Sequence, residues 1–221
     1  MQPPPRDEAE LVERALSLSG SAVDALASVW GVRLDGAPVF TKGKVGELLE
    51  RALGATGGSA ATWDFPALRV ELKTIPLDER GVPRESTFVC AVSLLDAERA
   101  EWETSWVRAK LARVLWVPIG RGADGARRIG AARLWSPSGE QEGILKGDFD
   151  EILGRIGAVG IEGLSARVGR WLQLRPKAAH GRVRTRAPGG DGGLVETVPR
   201  GFYLRARFTG AILRDAGALP P

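Results

Sequence analysis

Histidine and cysteine are nearly absent from this chain of 221 residues, which has one of each, His180 and Cys90. So few nitrogen and sulfur donors argue against a zinc site, and a lone histidine against a histidine-based catalytic triad. One cysteine can form no internal disulfide, and within the run FVCAV it reads as a small buried hydrophobe. Long apolar runs are missing too. The longest, such as Val114 to Ile119, are too short to cross a bilayer. The opening, MQPPPRDE, is polar and proline-rich, unlike a secretory signal. Together these absences exclude a membrane role and point to the cytoplasm. Any catalysis has to rest on carboxylates, lysines and arginines.

The formal net charge of +4 hides an asymmetry. From Gly163 onward, eleven Lys and Arg face three Asp and Glu, a balance of +8 that leaves −4 on the remainder. A basic C-terminal third beside a mildly acidic N-terminal part suits a polyanionic partner. A basic surface with no ligand has the same composition.

Residues 1–6 read as a disordered lead. Apolar spacing with acidic first-turn residues predicts a helix over Asp7–Leu18. Gly20 ends it, and Ser21 is placed to cap a second helix running to Trp30. A third, Val45–Leu53, carries Val45, Leu48, Leu49 and Ala52 on one face, with Glu50 off that stripe. Strands are expected at Leu68–Ile75, Thr87–Leu94, Val114–Ile119, Arg127–Trp135 and Trp171–Leu174. Further helices are expected at Glu103–Ala112, Phe149–Ile156 and Phe208–Leu213. Residues 181–193, rich in Gly and Arg, read as a mobile loop. There is no internal repeat and no clear linker, and the mixture of elements is α/β or α+β.

The stretch richest in chemistry is DFPALRVELK at 64–73. A carboxylate, Asp64, precedes a strand on which Glu71 and Lys73 stand two apart. That spacing puts them on one face, about 7 Å apart. Two carboxylates suit a hard cation such as magnesium, and a lysine beside them can hold or help deprotonate a water. Phosphodiester cleavage needs these parts. Taken alone, the same pattern also fits an ordinary solvated strand face.

The motif does not stand alone. VELKTIP (70–76), TFVC (87–90), WETS (102–105), RVLWVP (113–118), WSP (135–137), LQLRPKA (172–178) and PRGFYL (199–204) follow one another in an order that resembles the MutH family of DNA mismatch-repair endonucleases. The resemblance runs from about residue 9 to 213. More distantly, the chain is similar to GATC-cutting type II restriction enzymes that share the same core.

The resemblance implies a restriction-endonuclease-like core: a mixed sheet flanked by helices, in one domain of two lobes that form a DNA cleft. It implies an enzyme that nicks the unmethylated strand at hemimethylated GATC sites in double-stranded DNA, using Mg2+, for which Mn2+ may substitute, with a MutL-type activator as partner. Asp64, Glu71 and Lys73 match the family's metal-binding and catalytic triplet. Glu50 matches a further acid beside the metal, Lys110 a second active-site lysine, and Lys42 a lysine near the DNA backbone. The basic part, roughly 163–215, would read DNA. There Arg175 and Lys177 suit guanine edges and phosphates, while Phe88, Arg175 and Tyr203 match positions tied to sensing adenine methylation. Phe88 equally has a core-packing reading. Two departures stand out. Trp106 and Ala109 occupy positions where the family often has histidines, and the tail beyond Arg214 matches poorly. A restriction enzyme cutting both strands, and a DNA-binding module that has lost catalysis, remain the alternatives. Against the second, all five of Glu50, Asp64, Glu71, Lys73 and Lys110 are present.

Overall fold

The computed structural model describes residues 2–34, 38–58, 61–177 and 182–214, and their side chains except those of 38–42 and 98. In chain order the elements begin with α1 (Glu8–Ser17), α2 (Val23–Trp30), α3 (Pro38–Leu53), β1 (Glu71–Pro76), β2 (Thr87–Ala91) and α4 (Trp106–Leu111). Next come β3 (Val114–Arg121), β4 (Arg127–Ile129), β5 (Arg133–Trp135) and α5 (Gly139–Val159). Last are β6 (Leu172–Pro176), β7 (Thr185–Pro188), β8 (Leu194–Thr197), β9 (Arg200–Leu204) and α6 (Ala206–Arg214). The chain is a mixed α/β protein divided into two compact units. The first comprises residues 1–85, 113–136 and 209–221; the second comprises 86–112 and 137–208.

The first unit is built on β3, which pairs in parallel with β1, Glu71 opposite Val114 and Lys73 opposite Trp116. Along its other edge β3 pairs antiparallel with β4 and then β5. The single strand expected over Arg127–Trp135 is therefore two. Proline at 118 has no N–H to extend the ladder, and its carbonyl instead accepts from Gly130 N at 2.8 Å. A Cβ at Gly130 would fall 2.9 Å from Pro118 Cγ, so the crossing needs glycine. Pleating then sorts the side chains. Val70, Leu72, Leu115, Val117 and Ile119 join Leu11, Ala15, Val23, Leu48, Leu49 and Leu53 of the three helices in one core. Glu71, Lys73 and Trp116 belong to the opposite set.

Helix α1 has Asp7 as its N-cap, accepting from Glu10 N at 2.8 Å. The second helix is not capped by Ser21: its N-cap is Ala22, with no side-chain bond. Ser21 instead accepts from Ile129 N through its backbone, and Ala22 bridges to Arg128, so sheet pairing has taken that segment. Nor is the lead disordered over the described residues 2–6. Gln2 N donates to Arg51 O, Arg14 donates to Pro3 O, and Pro5 is buried.

In the second unit the antiparallel order is β2–β9–β6. Helix α5 starts ten residues earlier than its apolar core suggests, at a complete capping box of Ser138 and Gln141. Its Phe149 stacks on Phe202 and meets Trp102 edge-on, each at 5.5 Å between centroids. The stretch read as a mobile loop, 181–193, largely belongs to a hairpin: β7 and β8 pair antiparallel from Thr185–Thr197 to Pro188–Leu194. Its tip is seated by glycine, since a Cβ at Gly160 would lie 2.3 Å from Gly190 N.

Candidate active site

Strand β1 starts later than its hydrophobic pattern suggests because residues 65–70 close a tight turn. Phe65 N donates to Val70 O at 3.0 Å and Val70 N returns to Phe65 O at 3.3 Å. Within it Arg69 holds a left-handed φ of 53°, rare for a residue with a side chain. Its guanidinium lies over the Trp63 ring at 5.9 Å. The turn folds Asp64 back along the strand it precedes, and Asp64 Oδ2 accepts from Leu72 N at 2.7 Å. The first strand residue, Glu71, is only 2 % exposed. Its Oε1 accepts from Lys73 Nζ at 2.6 Å, a charge-assisted bond in a water-poor setting. Asp64, Glu71 and Lys73 thus converge at the head of β1.

Glu50 reaches the same group from α3. Its carboxyl pKa is raised, first by burial, then by the negative charges of Asp64, Glu47 and Glu71, while the Lys73 charge pulls the other way. The link between α3 and Asp64 runs through the loop after the helix. Gly54 N and Ala55 N donate to Glu50 O, and Thr56 N and Gly57 N both donate to Asp64 O at 3.0 Å. A Cβ at Gly57 would stand 2.0 Å from Trp63 O, so no other residue fits without moving that backbone. These glycines therefore help to hold the backbones of two carboxylate residues together, a part that glycine content alone does not reveal. An acid off the apolar stripe of one helix was the available signal for Glu50.

Lys110 belongs to the second unit. It lies on α4, 8 % exposed, with its Nζ 5.3 Å from the Trp106 ring centroid. Trp106, one helical turn before Lys110, thus serves as a π surface for the lysine. Lys42 falls in α3 but outside the residues whose side chains are described.

The other expected DNA contacts form one cluster in the second unit. Phe88 on β2 stands opposite Tyr203 on β9, their rings 5.3 Å apart and edge-on. From the exposed end of β6, Arg175 lies over Tyr203 at 5.6 Å; Lys177, just beyond it, lies over Phe88 at 4.7 Å. Phe88 is half-buried, neither core nor free surface. Its ring is seated by Gly201, where a Cβ would come within 2.6 Å of Phe88 Cε2 and 2.8 Å of Cys90 O. Two aromatic faces and two cations side by side suit a base edge and its phosphate.

Among the described residues no three of His, Cys, Asp and Glu stand close enough as they are to hold a metal ion. The donor chemistry at β1 nonetheless fits a hard divalent cation. It is all carboxylate oxygen, and such a cation would relieve both the burial and the mutual repulsion that raise the Glu50 pKa. Among the described residues no helix is long and apolar enough to cross a membrane.

A family model described as "DNA mismatch repair enzyme MutH" matches residues 53–148. A "DNA mismatch repair protein MutH" from Serratia proteamaculans is 45% identical over 216 residues, covering 96% of this chain and 95% of the relative. That of Pectobacterium atrosepticum is 46% identical over 212 residues, 95% of this chain and 92% of its own. That of Vibrio parahaemolyticus is 44% identical over 216 residues, 96% of each.

Proposed function

The chain belongs to the MutH family of DNA mismatch repair enzymes, and on that premise we propose that it nicks the unmethylated strand of DNA at hemimethylated GATC sites with the help of Mg2+. It is an enzyme acting on DNA, a repair endonuclease of restriction-endonuclease-like fold. The observation that carries the finer reading is the meeting of Asp64, Glu71 and Lys73 at the head of β1, with Glu50 charge-coupled to them from α3.

In this reading Asp64 and Glu71 hold the cation, with Glu50 beside them, and Mn2+ can take its place. When bound, the cation supplies a Lewis acid for the scissile phosphate and lowers the pKa of a bound water. The chain's own groups do the rest. The contact with Glu71 keeps the Lys73 ammonium at the carboxylates, where it offsets developing negative charge and can exchange a proton with the attacking water. Asp64 is kept in register by its bond from Leu72 N. The family resemblance gives Lys110 the role of a second active-site lysine. Phe88, Arg175, Lys177 and Tyr203 read the base edges, and a methyl group on adenine is rejected by steric filling of their cluster. Lys42 and the basic C-terminal third neutralise phosphate, so binding falls steeply with salt. Duplex DNA in the cytoplasm is the substrate, and a MutL-type protein is the activating partner.

The test uses magnesium and plasmids carrying unmethylated, hemimethylated or fully methylated GATC sites, with and without MutL. Nicks confined to the unmethylated strand, and stimulated by MutL, are expected. Unaided cutting of both strands would make the chain a restriction-type enzyme instead. Binding with no cleavage in any condition would reduce it to a DNA-binding module.

A further inference from the structure

An aspartate sits on the apolar stripe of α5. Leu145, Asp148, Phe149 and Ile152 follow one another at helical spacing, all buried, and Asp148 is 6 % exposed. Its carboxylate accepts three backbone N–H bonds: Oδ1 from Arg170 at 2.6 Å, Oδ2 from Trp171 at 2.6 Å and from Leu172 at 2.7 Å. A carboxylate buried in this way requires such bonds to replace those it would make with water. The turn that presents these amides requires glycine. At Gly169 φ is 82°, and a Cβ would lie 2.0 Å from Leu172 O.

The same connector is gripped from its carbonyl side. Arg205 donates to the carbonyls of Ala166, Val168 and Gly169 at 3.0, 3.0 and 3.1 Å, and Arg207 donates to that of Arg170. Both arginines follow β9, the strand that pairs with β6. Leu172, the last amide held by Asp148, is the first residue of β6. From there β6 runs to Arg175, with Lys177 just beyond.

We infer that Asp148 is a positioning residue for base reading: its buried carboxylate fixes where β6 begins, and so where Arg175 and Lys177 stand over Tyr203 and Phe88. The inference rests on the reading of that cluster as the DNA-reading surface. Asp148 touches no DNA; it acts through β6. Losing it loosens the strand's start and blurs recognition, while phosphate-driven affinity for any duplex is kept.

The experiment compares the wild-type chain with Asp148→Asn, and with Ile152→Val as a destabilising control on the same helix. Two quantities are read: native-state hydrogen exchange along 170–177, and the ratio of Kd for a scrambled duplex to Kd for a GATC duplex. In Asp148→Asn, exchange over 170–177 speeds up while α1–α3 are unchanged, and the Kd ratio falls about tenfold, the scale of one lost base contact. Ile152→Val loses thermal stability but keeps the ratio. If Asp148→Asn does not fold, Asp148→Ser, smaller and still an acceptor, takes its place. An unchanged ratio with unchanged exchange in the Asp148 variant overturns the inference. So does an equal loss of ratio in Ile152→Val. A wild-type chain without preference for GATC defeats the functional reading instead, and the exchange measurement still decides whether Asp148 fixes β6.

Discussion

Lys73 Nζ donates to Glu71 Oε1 at 2.6 Å, across two residues of one strand, with the lysine side chain 17% exposed and the glutamate side chain 3%. A buried ion pair is costly to break from one side, because the remaining charge keeps its desolvation cost and loses the opposite charge that offset it. Lys73→Met is therefore expected to destabilise the chain by about 3 kcal/mol. The double variant Lys73→Met/Glu71→Gln recovers much of that loss. Either single change lowers cleavage about a hundredfold or more while DNA binding persists. Urea unfolding and a nicking assay check both. Wild-type cleavage by Glu71→Gln would sink the site assignment.

Glu50 responds to charge in the opposite sense. Its folded-state pKa is raised by burial and by Asp64, Glu47 and Glu71, so the folded chain binds its proton more tightly than the unfolded chain does. The ionised form then costs stability, and that cost grows as pH rises past the ordinary carboxylate range. Glu50→Gln removes it. Without divalent cations the variant melts higher than wild type at neutral pH. Magnesium raises the wild-type Tm and leaves that of the variant nearly unmoved, with cleavage lost. Thermal scans with EDTA or with magnesium measure both effects. Equal responses to magnesium would remove Glu50 from the metal site.

Gly201 gives the Phe88 ring its seat. Gly201→Ala puts a methyl 2.6 Å from Phe88 Cε2 and 2.8 Å from Cys90 O, and the ring has to leave. The expected cost is about 1–3 kcal/mol of stability and about a tenfold loss of preference for GATC over scrambled duplex. In a Phe88→Ala background, Gly201→Ala should take away little further preference. A full second loss there would mean that the glycine acts by another route.

Glu10 ties the N-terminal lead to α1. Its pKa is lowered to about 2, first by the side-chain bond from Arg6, then by the Arg6 backbone N–H and by Arg14. A depressed carboxylate contributes stability that is complete above its ordinary value of 4.5 and is lost as pH falls toward about 2. Glu10→Gln should then be less stable than wild type at neutral pH, and the two should converge at the acid end. Denaturant unfolding at a series of pH values follows the difference. A gap that stayed constant with pH would mean that the pair contributes through packing rather than charge.

Much of this was legible in the chain itself. Backbone periodicity fixes which side chains share a face, so Glu71 and Lys73 were neighbours by spacing alone, and the stripe Val45, Leu48, Leu49 and Ala52 marked the buried side of α3. Composition alone showed which third of the chain is basic, and a single histidine left the chemistry to carboxylates and lysines. The start of α1 was legible at Asp7, which proves to be its N-cap, whereas the cap expected at Ser21 failed because a strand partner far along the chain had taken the backbone groups. The tertiary structure alone decided what depends on distant closure. It brought the charge of Glu50 to bear on Asp64 and Glu71 through a loop bonded to Asp64 O. It split the strand expected over Arg127–Trp135 opposite Pro118, paired residues 185–188 with 194–197, and buried Asp148 under three amides. The physical reason is the same in each case. Pattern along a chain sets which way a side chain faces, but only packing between remote segments determines the hydrogen-bond partner and the charge it meets there.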